Sequence, residues 1–158
     1  MFVLGTFIHT YSAQGEYLDN YVRSESGNPS LLRNQIQVMD WVYKNAGGKG
    51  FKVYSFVPSI YDFSYQYLFW WYGNKRYSYR PNEISYLPNQ PEYIKDMTTF
   101  WENTRPLPPE EPTYLIIEKS DNLSLYLSWS GTFVMLCEKE KISFPFNIEV
   151  HRLEKCKK

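Results

Sequence analysis

Several things are scarce in this chain of 158 residues. It has two cysteines, too few for a disulfide scaffold or a four-cysteine zinc site. It has two histidines, His9 and His151, and neither sits in a ligand spacing such as HxxxH or HExxH. An excess of either charge is missing: 17 Lys and Arg balance 17 Asp and Glu. Nucleic acid is therefore disfavoured as a main partner, because phosphate binding rests on a basic surface. No run reaches the roughly 18 apolar residues of a membrane span. A GxSxG nucleophile elbow is also missing. The Gly-rich stretch Gly47-Gly48-Lys49-Gly50 follows a helix and precedes a strand, the reverse of a phosphate-binding loop, and reads as a helix stop. Cys137, in an apolar strand, reads as a core thiol, and Cys156 lies in a polar, basic tail.

Aromatic residues are abundant. Five Trp, fifteen Tyr and ten Phe make up 19% of the chain. Disordered chains are poor in aromatics, so this composition describes a folded domain. Its length suits a single domain that buries about 70% of the surface its unfolded chain exposes.

The segment 1–27 reads as separate from the domain. Its apolar start, Met1 to Ile8, suits either a packed terminal strand or the remnant of a membrane helix, which would make this segment juxtamembrane. The domain itself spans 28–158. Asn28-Pro29-Ser30 predicts a helix start, with Leu32, Ile36, Met39, Tyr43 and Ala46 on one face and Gly47-Gly48 as the stop. Phe51 to Val57 predicts a central strand covered on both sides. Ser59 to Asp62 has the form of a capping box, followed by a largely buried aromatic helix, Phe63 to Tyr72, closed by Gly73. Lys75 to Arg80 alternates and predicts a half-exposed strand with Tyr77 and Tyr79 inward.

Seven of the ten prolines then fall in an excursion over 81–112, read as a spacer with a short helix near Glu92 to Trp101. Tyr114 to Glu118 predicts a buried strand. Asn122 predicts the cap of a short helix with Leu123, Tyr126, Leu127 and Ser130 on its face, ended by Gly131. Thr132 to Cys137 predicts a strand, Glu138 to Lys141 a solvated turn or strand end, and Phe146 to His151 a last alternating strand. Together these elements predict an α/β fold: a layered domain with a mixed β-sheet, flanking helices and a C-terminal antiparallel hairpin.

No catalytic residue, cofactor or metal site stands out. A glycosidase pair could be drawn from Asp62 with Glu83 or Glu118, but no spacing selects it. The aromatics carry the remaining lead. Trp70, Trp71, Tyr77, Tyr79 and Trp101 cluster in sequence near Arg80, Lys75 and Arg76. Flat rings with polar handles suit the apolar faces and polar edges of a sugar, and the same rings also suit a core.

From Leu31 onward, over about 125 residues, the chain resembles a particular kind of domain. The residues that carry this are Gln35-Ile36-Gln37, Asp40-Trp41-Val42-Tyr43, Gly50 to Tyr54, Pro58, Tyr61-Asp62, Tyr65 to Leu68, Trp71-Tyr72-Gly73, Tyr114 to Glu118 and Ile148 to Leu153. It is similar to the extracytoplasmic C-terminal domain of bacterial polytopic membrane glycosyltransferases of the dolichyl-phosphate-mannose–protein mannosyltransferase type. The resemblance implies a transferase that moves sugar from a polyprenyl-phosphate carrier on the outer face of the membrane. In that family the catalytic acid lies in the membrane part, so no catalytic residue carries over to this chain. The partners it implies are the membrane module of the parent enzyme, and a glycan or polyprenyl-linked sugar. The location it implies is the extracytoplasmic face, with the isolated chain soluble. Two other readings stand beside it: a free carbohydrate-binding module using the aromatic surface, and a small glycosidase.

Overall fold

A computed structural model describes residues 28–58, 62–90, 108 and 111–157. Helix α1 (Leu32–Ala46) leads into strand β1 (Lys52–Phe56). Helix α2 (Phe63–Leu68) runs through a π-helical turn (Phe69–Gly73) into α3 (Asn74–Tyr77). Strands β2 (Glu83–Ser85) and β3 (Thr113–Glu118) follow, then helix α4 (Leu123–Ser130) with a 3-10 turn (Gly131–Phe133). The hairpin of β4 (Leu136–Phe144) and β5 (Ile148–Lys155) ends the domain. The five strands form one mixed sheet in the order β2-β1-β3-β5-β4. β1 is parallel to both β2 and β3, with Phe56 beside Ile117, and β5 is antiparallel to β3 and β4. The α/β class, the mixed sheet and the C-terminal hairpin are as the sequence predicts.

Helices cover the sheet on two sides. On one side Val53, Tyr114, Ile116, Ile148 and Val150 meet Val38, Met39, Val42 and Tyr43 of α1 and Tyr65, Leu68 and Phe69. On the other side Tyr54, Phe56, Leu115, Ile117 and Leu153 meet Trp129 of α4 and Phe133. Both faces of β1 are therefore buried, as expected of a central strand. α1 stops where foreseen, because Gly47 and Gly48 take left-handed φ of 61° and 78° that cost glycine little. Its buried face is turned from the predicted one: Leu32 is exposed and Ile36 half-buried, while Gln35, Val38 and Val42 face inward. Nor is Asn28 its cap. Leu31 holds that place, and the Asn28 side chain accepts instead from the Ser30 N–H at 2.9 Å.

Other expectations are corrected. Lys75 to Arg80 is not a strand. Gly73 does not stop the helix, which continues to Tyr77 and ends on Ser78 at φ 62°. The stacking of Tyr77 on Tyr43, centroids 4.2 Å apart and planes 8° apart, fastens this last turn. The buried face of α4 is Leu125, Tyr126 and Trp129, with Leu123 and Leu127 exposed. Its cap is as predicted, the Asn122 side chain accepting from the Leu125 N–H at 3.1 Å. Thr132 to Val134 is turn rather than strand, and Glu138 to Lys141 lies inside β4 rather than in a turn. Cys137 is no core thiol: it is half-buried on the outer strand and disulfide-bonded to Cys156. The excursion contributes an unforeseen strand, β2. The helix expected near 92–101, the segment 1–27 and Ser59 to Tyr61 lie outside the described residues.

Candidate functional site

The aromatic helix sorts its rings by face. Tyr65, Gln66, Leu68 and Phe69 turn inward and are buried. Phe63, Tyr67 and Trp71, each four residues from the next, turn outward and are 47%, 48% and 41% exposed. Residues four apart share one helical face, so the three make a ridge. The rings of Tyr67 and Trp71 lie 6.2 Å apart and within 13° of parallel. Trp70 stands 5.7 Å from Tyr67, tilted by 45°. Lys75, one further step of four, places its ammonium 5.8 Å from the centre of the Trp71 ring, within cation–π range.

Of the six aromatic-surface candidates, the structure brings Trp70 and Trp71 together on this ridge. Tyr79 is in the core, edge-on to Tyr43 and Phe51. Tyr77 is half-buried against Tyr43, and its hydroxyl donates to Asp40 at 2.6 Å. Arg80 is half-buried beyond the end of α3. Trp101 lies outside the described residues, as does His9. Phe63 and Tyr67 were missed by the sequence reading, although the run Phe63-x3-Tyr67-x3-Trp71-x3-Lys75 was the signal for them.

The imagined carboxylate pairs separate into two places. Glu83 lies at the amino end of β1 and β2, paired with Lys52 at 3.0 Å. Burial would raise its pKa, but the Asn89 N–H, Lys52 and the Tyr54 hydroxyl outweigh burial and hold it below the usual carboxylate range. Asp62 and Glu118 lie at the other end, where consecutive residues of α2 serve them. Tyr65 donates to Glu118 at 2.9 Å, and Gln66 donates to Asp62 at 2.8 Å. Burial pushes Glu118 up and pushes Asp62 up to about 6, in each case against those hydrogen bonds. A glycosidic acid and its partner must both reach the sugar. Asp62 is 0% and Glu118 5% exposed, so neither carboxylate is open to a sugar.

His151 lies on the sheet face that α4 partly covers, with Nδ1 2.7 Å from Glu138 and Nε2 3.5 Å from Glu149. Glu149 also pairs with Lys119 at 3.1 Å and Lys141 at 2.8 Å. Partial burial of Glu149 is outweighed by hydrogen bonds from Lys141, Lys119 and His151, which hold its pKa down to about 2. Among the described residues no group of three or more His, Cys, Asp or Glu is placed to hold a metal ion. No helix among them is long and apolar enough to cross a membrane. No protein-family model matches the chain, and neither a curated protein nor a solved structure matches it.

Proposed function

We propose that this chain is an accessory domain, without catalytic residues of its own, of a polyprenyl-phosphate-sugar-dependent membrane glycosyltransferase on the extracytoplasmic face. Its role is to hold a glycan on the ridge of Tyr67 and Trp71. The observation that carries this reading is the pair of near-parallel, half-exposed rings with Lys75 beside them. Such rings offer apolar faces to the C–H side of a pyranose, while the Tyr67 hydroxyl and the Lys75 ammonium offer donors to its polar edge. The Cys137–Cys156 disulfide supports the compartment, since such bonds persist in oxidising surroundings. A free carbohydrate-binding module would use the same ridge, and the two readings differ in whether the gene encodes membrane spans upstream.

The test is a titration of the folded chain with mannose oligosaccharides, followed by tryptophan fluorescence. Saturable binding is expected, with Kd on the order of 1 mM, as suits two stacking rings and few hydrogen bonds. Trp71→Ala should remove the part of the fluorescence change that comes from the ridge and leave the far-ultraviolet circular dichroism unchanged. A titration that Trp71→Ala leaves unaltered would remove the ridge from the reading.

A further inference from the structure

The path of the chain around the sheet opens a second place for a ligand. After β1 the chain passes to the face covered by α1 and α2, where Tyr65, Leu68 and Phe69 pack. After the neighbouring parallel strand β3 it passes to the opposite face, where Trp129 of α4 packs. The two exits diverge, and a crevice opens beyond the carboxyl ends of β1 and β3. In open α/β sheets this divergence is where ligands bind.

The crevice here is a groove of about 510 Å³, within the roughly 300–1,000 Å³ range of small-molecule sites. Its floor is Phe56 from β1 and Ile117 from β3. The half-buried Tyr126 ring forms a wall, 5.5 Å from Phe56 and 74° to it. The rim is polar. Asp121 is exposed on the loop into α4, and Asn147 is exposed on the β4–β5 turn. The Asn147 carbonyl accepts the Lys119 N–H at 3.0 Å, which ties the two rim loops together. The charged residues of the lining are Lys119, Asp121 and Glu149, and Glu149 is paired both with Lys119 and with Lys141, which lies outside the lining, so the two lysines offset the two carboxylates.

We propose that this crevice binds a neutral, polyhydroxylated ligand of mono- to disaccharide size. A balanced rim gives no net attraction to a phosphate or carboxylate. Asp121 and Asn147 supply the acceptors and donors that adjacent hydroxyls need, and Tyr126 supplies a face for ring C–H groups. The proposal stands on the crevice alone and does not need the ridge of Tyr67 and Trp71.

The experiment is an amide-shift titration of the complete, disulfide-bonded, nitrogen-15-labelled chain. The probes are methyl α-mannoside, mannobiose and mannose 1-phosphate. Saturable shifts are expected at Lys119 to Tyr126 and Asn147 to Glu149 with the two neutral probes, mannobiose the stronger. Asp121→Ala, at an exposed position that does not threaten folding, should weaken binding about tenfold, the loss of one good hydrogen bond. Tyr126→Ala should weaken it further, and Trp71→Ala should leave it unchanged. Absence of saturable shifts in the millimolar range overturns the proposal. So does a preference for mannose 1-phosphate. Shifts confined to Phe63 through Lys75 overturn it while leaving the ridge standing.

Discussion

At Gly73 there is no room for a side chain. A Cβ there would overlap the Tyr43 hydroxyl and lie 2.8 and 2.9 Å from ring carbons Cζ and Cε2. Tyr43 cannot give way easily. Its hydroxyl donates to the Tyr79 carbonyl at 3.0 Å, and its ring is stacked on Tyr77 and edge-on to Phe51 and Tyr79. Overpacking a filled core costs about 1–3 kcal/mol, so Gly73→Ala should lower the free energy of unfolding by that amount, seen as a lower urea midpoint with an unchanged slope. Tyr43→Phe removes the nearest clashing atom. Gly73→Ala should therefore cost less in the Tyr43→Phe background, a coupling that a double-mutant cycle reads directly. Equal costs in the two backgrounds would show that the close approach is not what Gly73 is for. A glycine at this place in the sequence reads as a helix stop, because the letter is the same whether glycine supplies a left-handed φ or simply the absence of a Cβ. Only the distant Tyr43 distinguishes the two roles.

The elements show where sequence patterns reach and where they fail. The stop of α1 and the cap of α4 rest on local chemistry, so Gly47-Gly48 and Asn122 were legible, whereas the start of α1 falls on Leu31 and not on Asn28. The Tyr77/Tyr79 alternation in Lys75 to Arg80 was not a strand signal, because Tyr77 is on a helix and Tyr79 lies beyond it. The π turn was invisible, although it organises the segment. It brings Tyr72 and Tyr77, five residues apart, onto one side, where their hydroxyls reach the same oxygen of Asp40 at 2.9 and 2.6 Å. In β4 the mixed charges of Glu138 to Lys141 suggested a turn, but they line the outer edge of the sheet. Charges and the register shift between Glu138 and Glu140 protect such an edge against further pairing. The hairpin is closed by the Cys137–Cys156 bond across a sequence separation of 19. Closing a loop of this size stabilises by about 3 kcal/mol in the chain-entropy account. The Cys137→Ser/Cys156→Ser variant should lose about 2–4 kcal/mol in urea unfolding. Dithiothreitol should bring the wild type down to the variant and leave the variant unmoved. A wild type insensitive to reductant would remove both the bond and its support for an oxidising compartment.

For the whole molecule, hydrophobic periodicity made the class legible, and the single-file order of elements made the mixed sheet legible. β2 was not, being three residues within a proline-rich stretch and held by pairing with β1 rather than by its own pattern. The crevice was not legible either, because it depends on the chain leaving β1 and β3 toward opposite faces. The same end of the sheet sets the response to acid. Burial raises the pKa of Asp62 from an ordinary 3.8 to about 6, and raises that of Glu118 as well. An acid whose folded pKa is raised binds its proton more tightly when folded, so stability is highest below the unfolded pKa and falls as pH rises through the folded one. For Asp62 the loss between about pH 4 and 6 is roughly 3 kcal/mol. Glu149 acts in the opposite sense. Its pKa is held down to about 2, so its contribution is present above the ordinary carboxylate value and fades as pH falls toward 2. The two trends meet, and urea midpoints measured from pH 3 to 8 should peak near about pH 4–5. Asp62→Asn keeps an oxygen to accept from Gln66 but has nothing to ionise. It should flatten the decline between pH 4 and 6 and be about 2–3 kcal/mol more stable than the wild type at pH 7, with little difference at pH 4. A wild-type midpoint that rises steadily from pH 4 to 7 would contradict the burial of Asp62 as an ionisable group.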